Sequence, residues 1–263
     1  MTATAATPAT AAPFHFVCLD TKTDCVLSEP SIDGLLKKWS MKGYLRAQRY
    51  SFNEAFQVYQ KEDLARAFFG DPHVVSTLRS FPAGKARAAH EVAVQRVPCS
   101  LTSTALFRRL AKVGVVRGED LITPCAETQV GDIVINDRLR RILVDEEDED
   151  WDVFTAGERA EFLVQLLRLL VVGGKWCQYE DTLTPYIDTA RAIYKHLVSV
   201  EKDPDGIVVV RSVVLKVVAK DEDGEPILPL NPEHPQDVAF LCIDPVRRIV
   251  NVLSHHYGED LVE

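Results

Sequence analysis

At 263 residues and 46% hydrophobic content, the chain is long enough to bury a real core, in one large domain or two small ones. Its 30 Lys+Arg against 39 Asp+Glu leave a formal net charge of -9, which repels nucleic-acid backbones and anionic membrane surfaces and argues against both as partners. Six cysteines, Cys18, Cys25, Cys99, Cys125, Cys177 and Cys242, contain no C-x-x-C pair, so a zinc ribbon and a thioredoxin-type motif are excluded and a reduced cytosol fits best.

Residues 1–12 are Ala, Thr and Pro without a basic residue or an apolar stretch. They do not read as a secretory signal or an Arg-rich presequence, and a disordered tail is expected there, with 259–263 a second tail. Phe14 to Leu19 reads as a short strand and Cys25 to Leu27 as another. Ser31 to Gly34 opens a helix through Leu35, Leu36 and Trp39. A capping-box pattern at Ser51-Phe52-Asn53-Glu54 then predicts a helix through Phe56, Tyr59, Leu64, Ala67 and Phe68 to a stop at Gly70. Glu91 to Val97 is a candidate strand, Thr102 to Lys112 looks helical, and Asn136 to Ile142 begins a helix after the apolar run 133–135.

The next two helices are the best punctuated. Thr155 and Glu158 form a capping box for a helix that buries Phe162, Leu163, Leu166, Leu167, Leu170 and Val171, with Gly173 ending it in a left-handed C′ conformation. This nearly apolar run, 162–172, contains Gln165 and Arg168 and is too short for a bilayer span, so no membrane insertion is expected. Thr184 is the expected N-cap of the second helix, with Pro185 at its first position and Ile187, Ala190, Tyr194 and Leu197 on its buried stripe. After Asp203 the character changes. Valine density over Ile207 to Ala219 predicts one long strand, 221–224 a turn, and the prolines at 226, 229, 232 and 235 an irregular connection. Val238 to Ile243 and Arg248 to Ser254 should form a hairpin against the long strand. The expected fold class is therefore α+β. A single domain over 13–258 is mainly helical over 31–200, with a small antiparallel sheet over 207–255 and the N-terminal strand as a possible addition.

Between the two well-punctuated helices lies the polar, aromatic stretch Gly173 to Asp181, and a dense insert of that kind serves to be recognised or to hold something. A catalytic Cys177 needs a thiolate stabilised by the following helix start, but no His is near in sequence, so a buried structural thiol is the preferred reading. His255 and His256 are strand neighbours facing opposite ways and cannot easily share a metal ion. The other histidines show no H-x-x-x-H or H-x-D spacing and both nucleotide-binding glycine motifs are missing, so no metal and no cofactor is expected. Gln178, Glu180 and Asp181 have two readings left open, buried or capping groups that hold the loop beside a helix start, or an exposed partner contact. Gln178, Tyr179, Glu180, Asp181 and Arg247 are the candidate partner contacts, although Arg247 also reads as a partner of Asp244. Trp39 and Trp176 are expected in the core. The acidic run Asp145 to Asp150 is expected to be an exposed, mobile, solvated linker, with steering of a basic partner the other reading.

A dispersed set of segments carries a resemblance. They are Trp39-Ser40-Met41 with Gly43, Ala67-Phe68-Phe69 with Asp71-Pro72 and Val74, Leu139-Arg140-Arg141, the insert with Pro185-Tyr186, Ile193-Tyr194-Lys195 running to Val200, Asp244-Pro245 with Arg247-Arg248, and His256-Tyr257-Gly258. In this order and spacing the chain resembles the cilia- and flagella-associated protein 300 family. Residues 1–12 have no counterpart, 82–93 and 114–132 match poorly, and the 145–150 run is more acidic than the family pattern. The resemblance implies a non-catalytic factor of the cytoplasm and cilium or flagellum, supporting preassembly and intraflagellar transport of axonemal dynein arms. Its implied partners are dynein-arm assembly factors and the intraflagellar transport machinery. The rival readings are a small enzyme or ligand-binding domain with a site near Cys177, and a stably bound axonemal subunit.

Overall fold

The computed structural model describes residues 14–19, 26–79 and 87–258; the expected tails, 1–12 and 259–263, and Cys25 lie outside the described residues. Strand β1 is Phe16–Cys18. In place of a strand near 25–27 there is a 3-10 turn, Val26–Ser28, leading into helix α1, Pro30–Lys38, whose proline occupies the first turn, where no N–H is needed.

The helix predicted from Ser51 is a correction. Ser51 and Phe52 instead end strand β2, Leu45–Phe52, because Leu45, Ala47, Tyr50 and Phe52 are buried between two neighbouring strands. The capping box that does form joins Gln57 and Gln60 in a 3-10 turn before helix α2, Lys61–Gly70. Helix α3, Pro72–Thr77, follows, with the Asp71 carboxylate accepting from the His73 and Val74 N–H groups. Strand β3 is Glu91–Val97, as expected. Over 102–112 the chain forms only a 3-10 turn, Ala105–Arg108, and one turn of helix α4, Arg109–Lys112. Two small hairpins come next, β4 (Val116–Arg117) with β5 (Leu121–Ile122), then β6 (Pro124–Val130) with β7 (Ile133–Asp137).

Helix α5, Arg138–Val144, is capped by the Asp137 carboxylate, which accepts from the Arg140 N–H at 2.9 Å. The single helix expected from Thr155 to Gly173 is broken into α6, Ala156–Ala160, and α7, Phe162–Val172. The Thr155–Glu158 box forms as predicted. The break falls at the extended Glu161, whose carboxylate accepts from the Ser100 N–H and hydroxyl while the Phe162 N–H donates to the Pro98 carbonyl. Helix α8, Thr184–Leu197, begins one residue earlier than expected, and it is Asp120, far away in sequence, that accepts the Thr184 N–H.

The long valine strand is also two strands. Strand β8, Val200–Lys202, pairs with β9, Val208–Val210, while β10, Val213–Lys220, belongs to the main sheet. Arg211 and Ser212 separate β9 from β10, Arg211 reaching Asp244 at 2.8 Å and the Ser212 hydroxyl accepting from the Ser199 N–H. The proline-rich connection holds a short strand, β11, Pro226–Leu228, where irregular structure was expected. Strands β12, Val238–Asp244, and β13, Ile249–His255, form the predicted hairpin and β12 pairs with β10.

The main sheet is antiparallel and runs β1-β2-β13-β12-β10-β11, with β3 also on β10. Both of its faces are covered, which makes β12 buried at every position and gives it a continuous rather than an alternating apolar pattern. On one face Leu45, Phe240, Cys242 and Leu253 pack against Trp39, Leu139, Leu167, Leu170 and Ile193 from α1, α5, α7 and α8. On the other, Tyr50, Leu215, Leu241, Val250 and Val252 pack against Leu64, Phe68, Phe69 and Val74 from α2 and α3. The α+β class therefore holds. A mainly helical 31–200 does not, since β2 through β7 lie within that span.

Candidate partner-recognition site at the Gly173 to Asp181 insert

Gly173 ends α7 with φ 69° and ψ -158°, a positive φ as expected but in a region that glycine alone enters readily rather than the left-handed helical one. The contact it permits is close. A Cβ on Gly173 would lie 2.6 Å from the Cys177 Sγ, and one on Gly174 would lie 2.0 Å from the Ser40 carbonyl oxygen. The insert is thus pressed backbone to backbone on the end of α1, where the Gly174 N–H donates to the Trp39 carbonyl at 2.9 Å and the Gln178 N–H to that of Lys38 at 2.8 Å. From the sheet side, the buried Gln236 amide donates to the Gly173 carbonyl and to that of Leu169, which also accepts the Gly173 N–H, so the end of α7 is closed by a side chain distant in sequence.

Glu180 sits at the centre of this junction. One carboxylate oxygen accepts from the Trp39 indole N–H at 3.0 Å and the other from the Lys38 ammonium at 2.8 Å. Its backbone N–H donates to the Tyr186 hydroxyl, which also accepts from Arg140 at 2.9 Å. Trp39 stacks on Tyr186 at 4.7 Å, and the fully buried Arg140 guanidinium pairs with Asp137 and lies 3.2 Å from the centre of the Tyr179 ring. Burial raises the Tyr186 hydroxyl to about 12 and lowers the Arg140 guanidinium from its ordinary value.

The same burial pushes the Cys177 thiol up to about 12, so it is held as a neutral thiol rather than activated. Its charged neighbours are Arg140, Glu180 and Lys38. His255 is also buried neutral, lowered to about 4 chiefly by burial, and its Nδ1 lies 2.5 Å from the Gln236 carbonyl oxygen. His256 faces Asp237 instead, at 2.6 Å. Among the described residues no group of three or more His, Cys, Asp or Glu is placed to hold a metal ion, and no helix is long and apolar enough to cross a membrane.

The predicted contact residues therefore separate. Tyr179 and Glu180 are half-buried parts of the brace, while Gln178 and Asp181 are exposed. Trp39 is in the core as expected, but Trp176 is 70% exposed, which corrects its expected burial. The glycine turn throws it outward while Cys177 turns in against Gly173. Tyr179, Glu180 and Asp181 form one wall of a cleft of about 530 Å³, facing Arg117, Leu121, Pro124 and Asn136 from the small hairpins. Arg247 belongs to another part of the surface, the β12–β13 turn, where its Nε is 3.8 Å from Asp244. Sequence reasoning saw Leu139-Arg140-Arg141 as a matching segment but missed Arg140 as the cation beneath the insert. The Asp137 to Arg140 capping pattern was the available signal.

The acidic run is a further correction. It is folded into turns in which the Asp145 and Asp148 carboxylates accept backbone N–H groups and Asp150 pairs with Arg138, leaving Glu146, Glu147 and Glu149 outward.

Fold and site together define an α+β protein whose most distinctive surface is a braced aromatic loop at the rim of a cleft. A model of the family described as cilia- and flagella-associated protein 300 matches residues 13–255. The chain is 30% identical over 250 residues to the protein of that description from Chlamydomonas reinhardtii, covering 92% of this chain and 97% of the relative. It is 27% identical over 233 residues to the one from Paramecium tetraurelia, covering 88% and 90%. The chain belongs to the cilia- and flagella-associated protein 300 family. No solved structure matches it.

Proposed function

We propose that this chain is a non-catalytic factor that recognises partner proteins in the cytoplasm and the cilium, supporting preassembly of axonemal dynein arms and their loading onto intraflagellar transport. The observation that carries the reading is family membership across residues 13–255. The shape of the insert supports recognition. A loop held at Trp39, Glu180 and Tyr186 presents Trp176, Gln178 and Asp181 to solvent without having to order them on binding, and an exposed rigid tryptophan suits an interface anchor. The neutral Cys177 thiol does not favour the reading of a thiolate enzyme.

The test is recovery of axonemal dynein subunits and transport-train proteins with tagged chain from ciliated cells, comparing wild type with Trp176→Ala/Asp181→Ala. Recovery should fall several-fold for the variant while its melting temperature stays unchanged. Equal recovery removes the insert as the contact. If the wild type recovers neither class of protein and instead stays with microtubules after salt extraction of cilia, the chain is a fixed axonemal subunit and the transport reading fails.

A further inference from the structure

We propose that the corner where the end of α8, the β8–β9 hairpin and the β12–β13 turn meet docks an extended acidic segment of a partner protein, one carrying apolar side chains between its carboxylates. The inference rests on the recognition reading above but names a surface apart from the insert.

Its centre is a cleft of about 350 Å³ lined in part by Arg49, Lys195, Val200, Asp244, Arg247 and Asn251. Three of its lining residues are lysine or arginine and one is acidic, on a chain whose net charge is -9. The acid is not available to cancel them. Asp244 is buried, accepts from Arg211 at 2.8 Å and from the Val246 and Arg247 N–H groups at 3.0 and 2.9 Å. Arg49 is fixed at the floor, donating to Asn251 at 2.9 Å and to the His196 carbonyl at 3.2 Å. Lys195, exposed on the last turn of α8, has no ion-pair partner among the described residues, and the Arg247 side chain is 69% exposed, with its Nε 3.8 Å from an Asp244 that Arg211 holds more closely. Two cations are thus left at the mouth.

Apolar surface adjoins them. Val200, Ile207, Val208 and Val246 are large hydrophobics left exposed on the hairpin and the turn. Strands β8 and β9 pair only with each other among the described residues, so each keeps an outer edge to which an extended chain can add backbone hydrogen bonds. Cations at the mouth, valines beside them and a strand edge along one side together select an acidic partner in extended form. Charge supplies steering and specificity, and apolar contact supplies area.

The probe is a fluorescent twelve-residue peptide alternating glutamate and valine, measured by anisotropy against the full chain, with the glutamine-for-glutamate peptide as its control. The wild type should bind the acidic peptide, more weakly as salt is raised from about 50 to about 300 mM. Lys195→Glu/Arg247→Glu should weaken binding at least about tenfold, and Lys195→Ala/Arg247→Ala by less, with both variants melting like the wild type because both side chains are exposed. Equal affinity of wild type and the charge-reversed chain, equal binding of the glutamine peptide, or no binding at all overturns the proposal. Sedimentation supplies another refutation. If the wild type self-associates and the charge-reversed chain is monomeric, the occupant is a second copy, engaged through the outward Glu146, Glu147 and Glu149. Peptide binding without recovery of ciliary partners would sink the recognition reading and leave this surface standing, and the converse result would do the reverse.

Discussion

Glu180 shows how a residue drawn from a list of candidate contacts acquires a different role once its neighbours are known. Its carboxylate ties the insert to the end of α1 through Trp39 and Lys38, so Glu180→Ala leaves a buried indole N–H unpartnered and should cost about 2 kcal/mol in urea unfolding. Asp181→Ala, one residue on and exposed, should change stability by no more than about 0.5 kcal/mol. Comparable losses for the two would sink the bracing role. His255 supplies a pH dependence. Its folded value, about 4, lies below the unfolded one near 6.5, so the unfolded chain takes up a proton first as pH falls. The stability this histidine contributes is therefore present above about pH 6.5 and lost as pH falls through about 4. Urea midpoints measured from pH 7.5 down to 4.5 should fall more steeply for the wild type than for His255→Gln. Parallel curves would remove His255 as the cause.

At the level of elements, several of the groups that bound a helix come from elsewhere in the chain. Asp120 takes the first N–H of α8, Gln236 closes α7, and Ser100 with Pro98 sets the break before Phe162. Asp137 acts within its own segment, capping α5 and pairing with Arg140, which has no exposed surface. Asp137→Ala removes a cap and strands a buried guanidinium, and should destabilise by about 3 to 5 kcal/mol by equilibrium unfolding. A loss below about 1 kcal/mol would mean that Arg140 finds other compensation. Since Arg140 also lies under Tyr179, the same variant should make Cys177 react faster with iodoacetamide as the insert loosens.

On the scale of the whole molecule, the surplus of acids is distributed unevenly. Of the run 145–150, Asp145, Asp148 and Asp150 are committed to turns and to Arg138, and Glu146, Glu147 and Glu149 face outward. Replacing those three outward acids by glutamine should leave stability within about 0.5 kcal/mol of wild type, whereas Asp148→Ala/Asp150→Ala should lower the melting temperature measurably. A strong loss in the glutamine variant would contradict the folded turn. The cationic corner around Arg247 and the acidic face therefore lie on one body whose net charge hides the difference.

The amino-acid sequence alone settled what depends on near neighbours in the chain. The Thr155–Glu158 box, the stop at Gly173, α8 with its proline in the first turn, and the β12–β13 hairpin follow from hydrogen bonds and dihedral preferences acting over a few residues. The resemblance, spread over the whole length, reached the family. Tertiary structure decided the rest, because it rests on partners distant in sequence. Ser51 to Glu54 has the pattern of a helix start, yet β1 and β13 on either side make Ser51 and Phe52 strand residues. The valine run was divided by Arg211 turning to Asp244, and the two tryptophans were separated because Trp39 is packed under Tyr186 and Glu180 while Trp176 leaves the glycine turn toward solvent. Burial of one tryptophan and exposure of the other is a property of the packed sheet and helices, and no local pattern around either residue encodes it.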